Sequence, residues 1–163
     1  MTHVVLVLGG ARSGKSDVAE RLIGDAPATY VATGLPGVGD DDGWAARVAA
    51  HRERRPAGWS TVEAVGDLPA VLRQVTGTAL VDSLGAWLAR AQGFDAGTDE
   101  LLSSLRARDG DTVVVSDEVG LGVHPSTAVG QAFRDALGDL NRAVAEVADE
   151  VLLVVAGRVL PLR

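Results

Sequence analysis

A chain of 163 residues is long enough to bury a substantial core and is most economically read as one domain, 1–163. Its net charge of −7 argues against non-specific nucleic-acid binding, and no apolar run approaches the roughly 18 residues of a membrane span. The absence of cysteine excludes disulfides and thiolate metal sites, and the N-terminus lacks the basic-then-apolar layout of a signal peptide.

Val4 to Leu8 is a continuous aliphatic run, the pattern of a strand buried on both faces. A glycine-rich loop follows, then a helix from Lys15 to Ile23 that Gly24 stops. Ala28 to Thr33 reads as a second strand. The stretch from Gly34 to Gly43 holds four glycines and three consecutive aspartates, which predicts a loop. A helix is expected from Trp44 to Arg54, ended by Pro56, then a strand over Trp59–Val65 and a helix over Leu68–Val75. Ala79 to Asp82 is another buried strand with an acid at its end, followed by helical sequence to Arg106. Thr112 to Glu118 repeats the pattern of apolar strand and then carboxylates. Ser126 or Thr127 is placed to cap the longest helix, with Val129, Phe133, Ala136, Leu137, Leu140, Val144 and Val147 at helical spacing. Val151 to Val155 is a strong strand, and Val159 to Leu162 adds a short one at an edge. Strands alternating with helices predict a mainly parallel sheet with helices on both faces, a three-layer α/β sandwich.

The loop itself, Gly9-Gly10-Ala11-Arg12-Ser13-Gly14-Lys15-Ser16, is a complete G-x-x-x-x-G-K-[ST] phosphate-binding motif. Its glycines let successive N–H groups point at phosphate oxygens at the positive end of the following helix. Lys15 reaches the terminal phosphates and the Ser16 hydroxyl ligates Mg²⁺. Lys15 is also the only lysine in the chain; every other cationic side chain that is not histidine is arginine. A compact ammonium on a flexible stem is therefore kept for the one position where phosphate chemistry wants it. Such sites use a second acid at the end of a neighbouring strand, for which Asp82 is favoured, with Asp117 and Glu118 close to the same crevice. Nucleotide use makes the cytoplasm the default compartment.

Arg47, His51 and Arg54 are spaced by four and three residues and share one face of the expected helix, flanked by Arg52 and Arg55. Like charge disfavours the imidazolium form, which keeps a neutral ring for metal ligation or nucleophilic attack, while arginines hold a polyphosphate. On spacing alone a solvated basic face with a surface histidine is the stronger reading. His3 and His124 have no comparable setting.

Several stretches, in order, resemble one family. They are Gly9 to Ser16; His51-Arg-Glu-Arg-Arg-Pro56 with Trp59 and Glu63; Leu80 to Leu88; Asp117 to Pro125; and Phe133-Arg-Asp135 with Gly138, Asn141 and Ala148-Asp149. Together they resemble the bifunctional adenosylcobinamide kinase/adenosylcobinamide-phosphate guanylyltransferases of cobalamin biosynthesis. The resemblance implies a P-loop NTPase fold of the RecA-like kind and two transferase reactions. ATP or GTP phosphorylates the aminopropanol hydroxyl of adenosylcobinamide; GTP then gives GMP to a histidine, and the phosphorylated cobinamide takes it to form adenosylcobinamide-GDP.

By this resemblance His51 is the nucleophile and Lys15 its catalytic partner on the phosphates. Gly9 to Ser16, Thr33, Gly34, Leu35, Arg52, Glu53, Arg54, Arg55, Glu63 and Asp82 contact nucleotide, with Ser16 and Asp82 on Mg²⁺. It also implies a homotrimer. Asp117 stands where relatives often carry Asn, Gln131 where they carry a basic residue, and Ser83 where cysteine is frequent. A small-molecule kinase without guanylyltransferase activity is the alternative, since the loop and acids alone fit it. A switch GTPase is disfavoured: its guanine-reading N-K-x-D motif needs a second lysine.

Overall fold

The computed structural model describes residues 2–34, 55–64 and 66–162. The expected helix from Trp44 to Arg54 lies outside them, as do Leu35, His51, Arg52, Glu53 and Arg54 of the candidate site.

Seven strands form one sheet: β1 (Val4–Gly9), β2 (Ala28–Ala32), β3 (Ser60–Glu63), β4 (Thr78–Asp82), β5 (Thr112–Asp117), β6 (Glu150–Val155) and β7 (Arg158–Leu162). Their order is β3-β2-β4-β5-β1-β6-β7; the first six are parallel and β7 runs antiparallel to β6. Among the described residues the α-helices are α1 (Lys15–Ile23), α2 (Leu68–Gln74), α3 (Leu84–Leu88), α4 (Thr98–Ala107) and α5 (Ala128–Ala145).

Period-two side-chain alternation divides the core into two layers. Val5, Val7, Tyr30, Leu80, Val113 and Val115 face α1, where Val18 and Ala19 cover them. Leu6, Leu8, Val31, Val81 and Val114 face the other way, against Leu72 of α2, Leu88 of α3, Leu105 of α4 and Leu140 of α5. The apolar run of β1 is buried at every position, as a central parallel strand requires. Helices on both faces of a parallel sheet are the expected three-layer sandwich.

Two departures from the sequence reading have local causes. The helical stretch expected up to Arg106 is broken into α3, a single 3₁₀ turn at Gln92–Phe94, and α4. Gly93 and Gly97 take φ of 63° and 70°, a left-handed backbone that a continuous helix excludes. In α5, Thr127 is the cap, its hydroxyl accepting from the Gly130 amide, but Val129 is 65% exposed. The buried stripe is Leu137, Leu140, Asn141 and Val144, so it includes a polar residue that the periodicity of apolar residues passes over.

At the N-terminal rim of the sheet, Arg108 is buried. Its guanidinium donates to Thr112 Oγ1 at 3.0 Å, to the Leu72 and Val75 carbonyls at 3.1 and 2.7 Å, and to the Gly77 carbonyl. The cation sits at the negative end of α2 and satisfies carbonyls that the helix leaves unpaired. Burial lowers its pKa, as desolvation does for any cation.

Candidate active site

β1 and β5 end side by side, with Gly9 opposite Asp117, and the Glu118 amide donates to the Gly9 carbonyl at 3.0 Å. The phosphate loop leaves from this point. It turns through left-handed conformations at Arg12 (φ 57°) and Gly14 (φ 89°), and the Ser13 amide closes it onto the Gly10 carbonyl at 3.2 Å. Gly9 admits no side chain: a Cβ there would overlap Ser13 Oγ and crowd the Val154 carbonyl at 3.0 Å. Ser13 Oγ is itself buried without a hydrogen-bond partner among the described residues. From the other side, the Gly157 amide donates to the Ser13 carbonyl at 2.7 Å, so the β6–β7 turn braces the loop.

Lys15 opens α1 and its side chain returns over the loop. Nζ lies 2.9 Å from Asp117 Oδ1 and donates to the Gly10 carbonyl at 3.2 Å. The acid in contact with the lysine is therefore Asp117, an arrangement the sequence left open between two strand ends. Asp117 is fixed from three sides. Asn141 Nδ2, on α5, donates to its carbonyl at 3.0 Å, while Asn141 Oδ1 accepts from Ser116 Oγ at 2.6 Å. The Ser83 hydroxyl lies 3.5 Å from Asp117 Oδ2. A Cβ on Gly85 would overlap that same oxygen, so glycine there lets α3 pack against the carboxylate.

Asp82 ends β4, two strands from β1, and its Oδ2 accepts from the Tyr30 hydroxyl at 2.9 Å. Thr33 is fully buried; its hydroxyl donates to the Ser83 carbonyl at 2.7 Å and accepts from the Ser83 amide at 2.8 Å. Thr33 thus ties β2 to the end of β4, and its own carbonyl accepts from Arg90 Nη1 at 2.9 Å. Arg55 stacks on Tyr30, with its guanidinium carbon 3.3 Å from the ring centroid, and Nη1 reaches Thr61 Oγ1 at 3.3 Å. Burial, and then the Asp82 carboxylate, push the Tyr30 phenol well above its ordinary value of 10.0. Glu63 is exposed at the end of edge strand β3.

The structure thus gathers Gly9 to Ser16, Asp82 and Asp117 on the C-terminal rim of the parallel strands, where ligands of open α/β sheets bind. Tyr30, Arg90 and the bonds of Asn141 did not emerge from motif reading. Tyr30 carries one usable signal: it is the only tyrosine of a chain poor in aromatics, and it falls within a strand of small and β-branched residues.

A parallel sheet whose first strand runs into such a loop, with its lysine held at the C-terminal rim, defines a P-loop nucleotide-binding protein. Among solved structures, the P4 protein of bacteriophage phi6 in complex with ADP superposes with a TM-score of 0.50 at 15% identity. It covers 97% of this chain and 52% of the phage chain, a likeness of fold. Residues 5–162 match the family described as cobinamide kinase / cobinamide phosphate guanyltransferase, and the chain belongs to that family. The bifunctional adenosylcobalamin biosynthesis protein CobP of Pseudomonas aeruginosa is 39% identical, over 97% of this chain and 96% of the relative. The corresponding CobU proteins of Salmonella typhimurium and Escherichia coli are 36% and 34% identical, each over 94% of this chain and 96% of the relative.

Proposed function

We propose that this chain carries out both reactions of its family on one phosphate loop. The observation that carries the reading is Lys15, held by Asp117 and the Gly10 carbonyl over a loop whose backbone is already curled. A triphosphate entering the loop exchanges those contacts for its own oxygens.

In the first reaction the aminopropanol hydroxyl of adenosylcobinamide attacks the γ-phosphorus of ATP or GTP. An O–P bond forms, the β–γ bridging bond breaks, the nucleoside diphosphate leaves with the electron pair, and the hydroxyl proton is lost to a base or to solvent. In the second, a neutral ring nitrogen of His51 attacks the α-phosphorus of GTP; the N–P bond forms as pyrophosphate leaves. A phosphate oxygen of the phosphorylated cobinamide then attacks the same phosphorus, breaking the N–P bond and giving adenosylcobinamide-GDP. The covalent step divides one difficult transfer into two easier ones.

In this reading Gly9 to Ser16 cradle the phosphates and Lys15 neutralises charge on the transferred group, while Arg52, Glu53, Arg54, Arg55, Thr33, Gly34, Leu35 and Glu63 form the nucleotide wall. Ser16 and Asp82 would hold Mg²⁺, since a hydroxyl and a carboxylate form the all-oxygen donor set that a hard cation takes. Mg²⁺ supplies charge neutralisation on the phosphates and on leaving pyrophosphate. Assembly as a homotrimer in the cytoplasm belongs to the same reading. The edge strand β7, exposed along its length at Val159, Leu160 and Leu162, supports it as apolar surface that a second copy would cover. Among the described residues no helix is long and apolar enough to cross a membrane.

GTP labelled at the α-phosphate tests the reading. Wild-type protein, denatured after incubation, carries an acid-labile and alkali-stable adduct that His51→Ala abolishes. An unlabelled wild type that still moves γ-phosphate to a hydroxyl would sink the guanylyltransferase half.

A further inference from the structure

Between Arg55 and Asp82 lies a side chain that neither the phosphate loop nor the histidine motif accounts for. Tyr30 is in the middle of β2, opposite Leu80 of β4 and Thr61 of β3, and only 8% exposed. One face of its ring carries the Arg55 guanidinium at 3.3 Å, and its hydroxyl donates to Asp82 Oδ2 at 2.9 Å. Arg55 lies four residues after His51 in the sequence and is followed by Pro56. A phenol against a carboxylate has a single way to bond, as the donor, so the contact fixes the Asp82 rotamer. A stacked cation withdraws charge from the ring and strengthens the hydroxyl as a donor.

We infer that Tyr30 is a positioning residue that links Arg55 to Asp82 and so sets the carboxylate for its divalent cation. This rests on the reading of Asp82 as the metal-side acid. The stack and the hydrogen bond are consecutive links, so disturbing Arg55 is felt at Asp82 through the ring. Tyr30→Phe removes the hydroxyl while keeping the ring on which Arg55 lies.

The test is direct binding of Mn²⁺, followed by electron paramagnetic resonance, to the protein with a non-hydrolysable GTP analogue. Affinity for the analogue without metal serves as the internal reference for an intact loop. Tyr30→Phe weakens Mn²⁺ roughly tenfold, the scale of one hydrogen bond to a charged group, and leaves metal-free analogue affinity unchanged. Asp82→Asn weakens Mn²⁺ at least as much. Scored relative to each variant's metal-free analogue affinity, Arg55→Ala weakens Mn²⁺ about threefold alone and adds nothing in the Tyr30→Phe background. Mn²⁺ affinity that is retained in Tyr30→Phe but lost in Asp82→Asn overturns the positioning role alone. Affinity retained in both variants overturns the metal-side reading of Asp82, and the inference with it. Equal losses of Mn²⁺ and of metal-free analogue would show a merely structural tyrosine, and multiplicative effects of Arg55→Ala and Tyr30→Phe would show two independent contacts.

Discussion

Two cations at opposite rims of the same sheet show what burial does to a charge when the partners differ. Arg108, at the N-terminal rim, is surrounded by the Leu72, Val75 and Gly77 carbonyls and the Thr112 hydroxyl, neutral acceptors that are part of the fold. Lys15, at the C-terminal rim, has a side chain 13% exposed and is held by one carboxylate, itself 33% exposed, and one loop carbonyl. The first set leaves the guanidinium no reason to move. The second set is one carboxylate and one loop carbonyl, few in number and partly open to solvent. On the function proposed above, one charge holds structure and the other is kept for a ligand.

Substitutions at the two rims should separate these roles. Lys15→Ala is expected to lower both transferase rates by at least about a hundredfold, measured with saturating acceptor, while the thermal midpoint stays close to wild type. Lys15→Arg should fail nearly as badly, because a planar fork does not fit where a compact ammonium reaches over the loop. A large drop in thermal midpoint for Lys15→Ala would break the contrast.

Arg108→Met should do the reverse. Stranding the carbonyls at the end of α2 costs about 3 kcal/mol, on the order of a 10 °C fall in melting temperature, with activity per folded molecule retained. Asn141→Ala falls between them. It frees the Ser116 hydroxyl and the Asp117 carbonyl together, and should cost about 1–2 kcal/mol by denaturant titration with a several-fold rise in the KM for triphosphate.

The smallest effect is confined to alkali. Because the folded Tyr30 pKa is raised above its ordinary value of 10.0, its contribution is fully present below that value and is lost as pH rises beyond it. Stability should decline above about pH 10, and Tyr30→Phe should flatten the decline. With one tyrosine in the chain, phenolate absorbance reports this residue alone and should appear together with unfolding.

The phosphate loop was legible in the sequence because backbone geometry dictates it: Gly9 has no room for a side chain, Gly14 needs a left-handed φ, and the strand and helix around them carry their own periodicities. The helix from Lys15 to Ile23, its Gly24 stop and the Thr127 cap followed from the same local chemistry. What sequence could not supply was pairing across the sheet. Asp82 and Asp117 look alike as acids ending apolar strands, and only the order β4-β5-β1 places Asp117 beside the lysine. Asn141 is marked in the sequence only by the resemblance; its two bonds to the end of β5 are visible only in the fold. Thr33 is marked as a nucleotide contact by the resemblance, and only the fold adds that its hydroxyl bonds the Ser83 backbone and ties β2 to the end of β4.

The β6–β7 turn has a consequence of its own. Its Gly157 amide ends on the Ser13 carbonyl, so the hairpin that carries the exposed edge strand β7 shares a hydrogen bond with the phosphate loop. Solvent exchange at that one amide is therefore a clock on the loop: it ticks when the bond opens and slows when a bound triphosphate holds the loop shut.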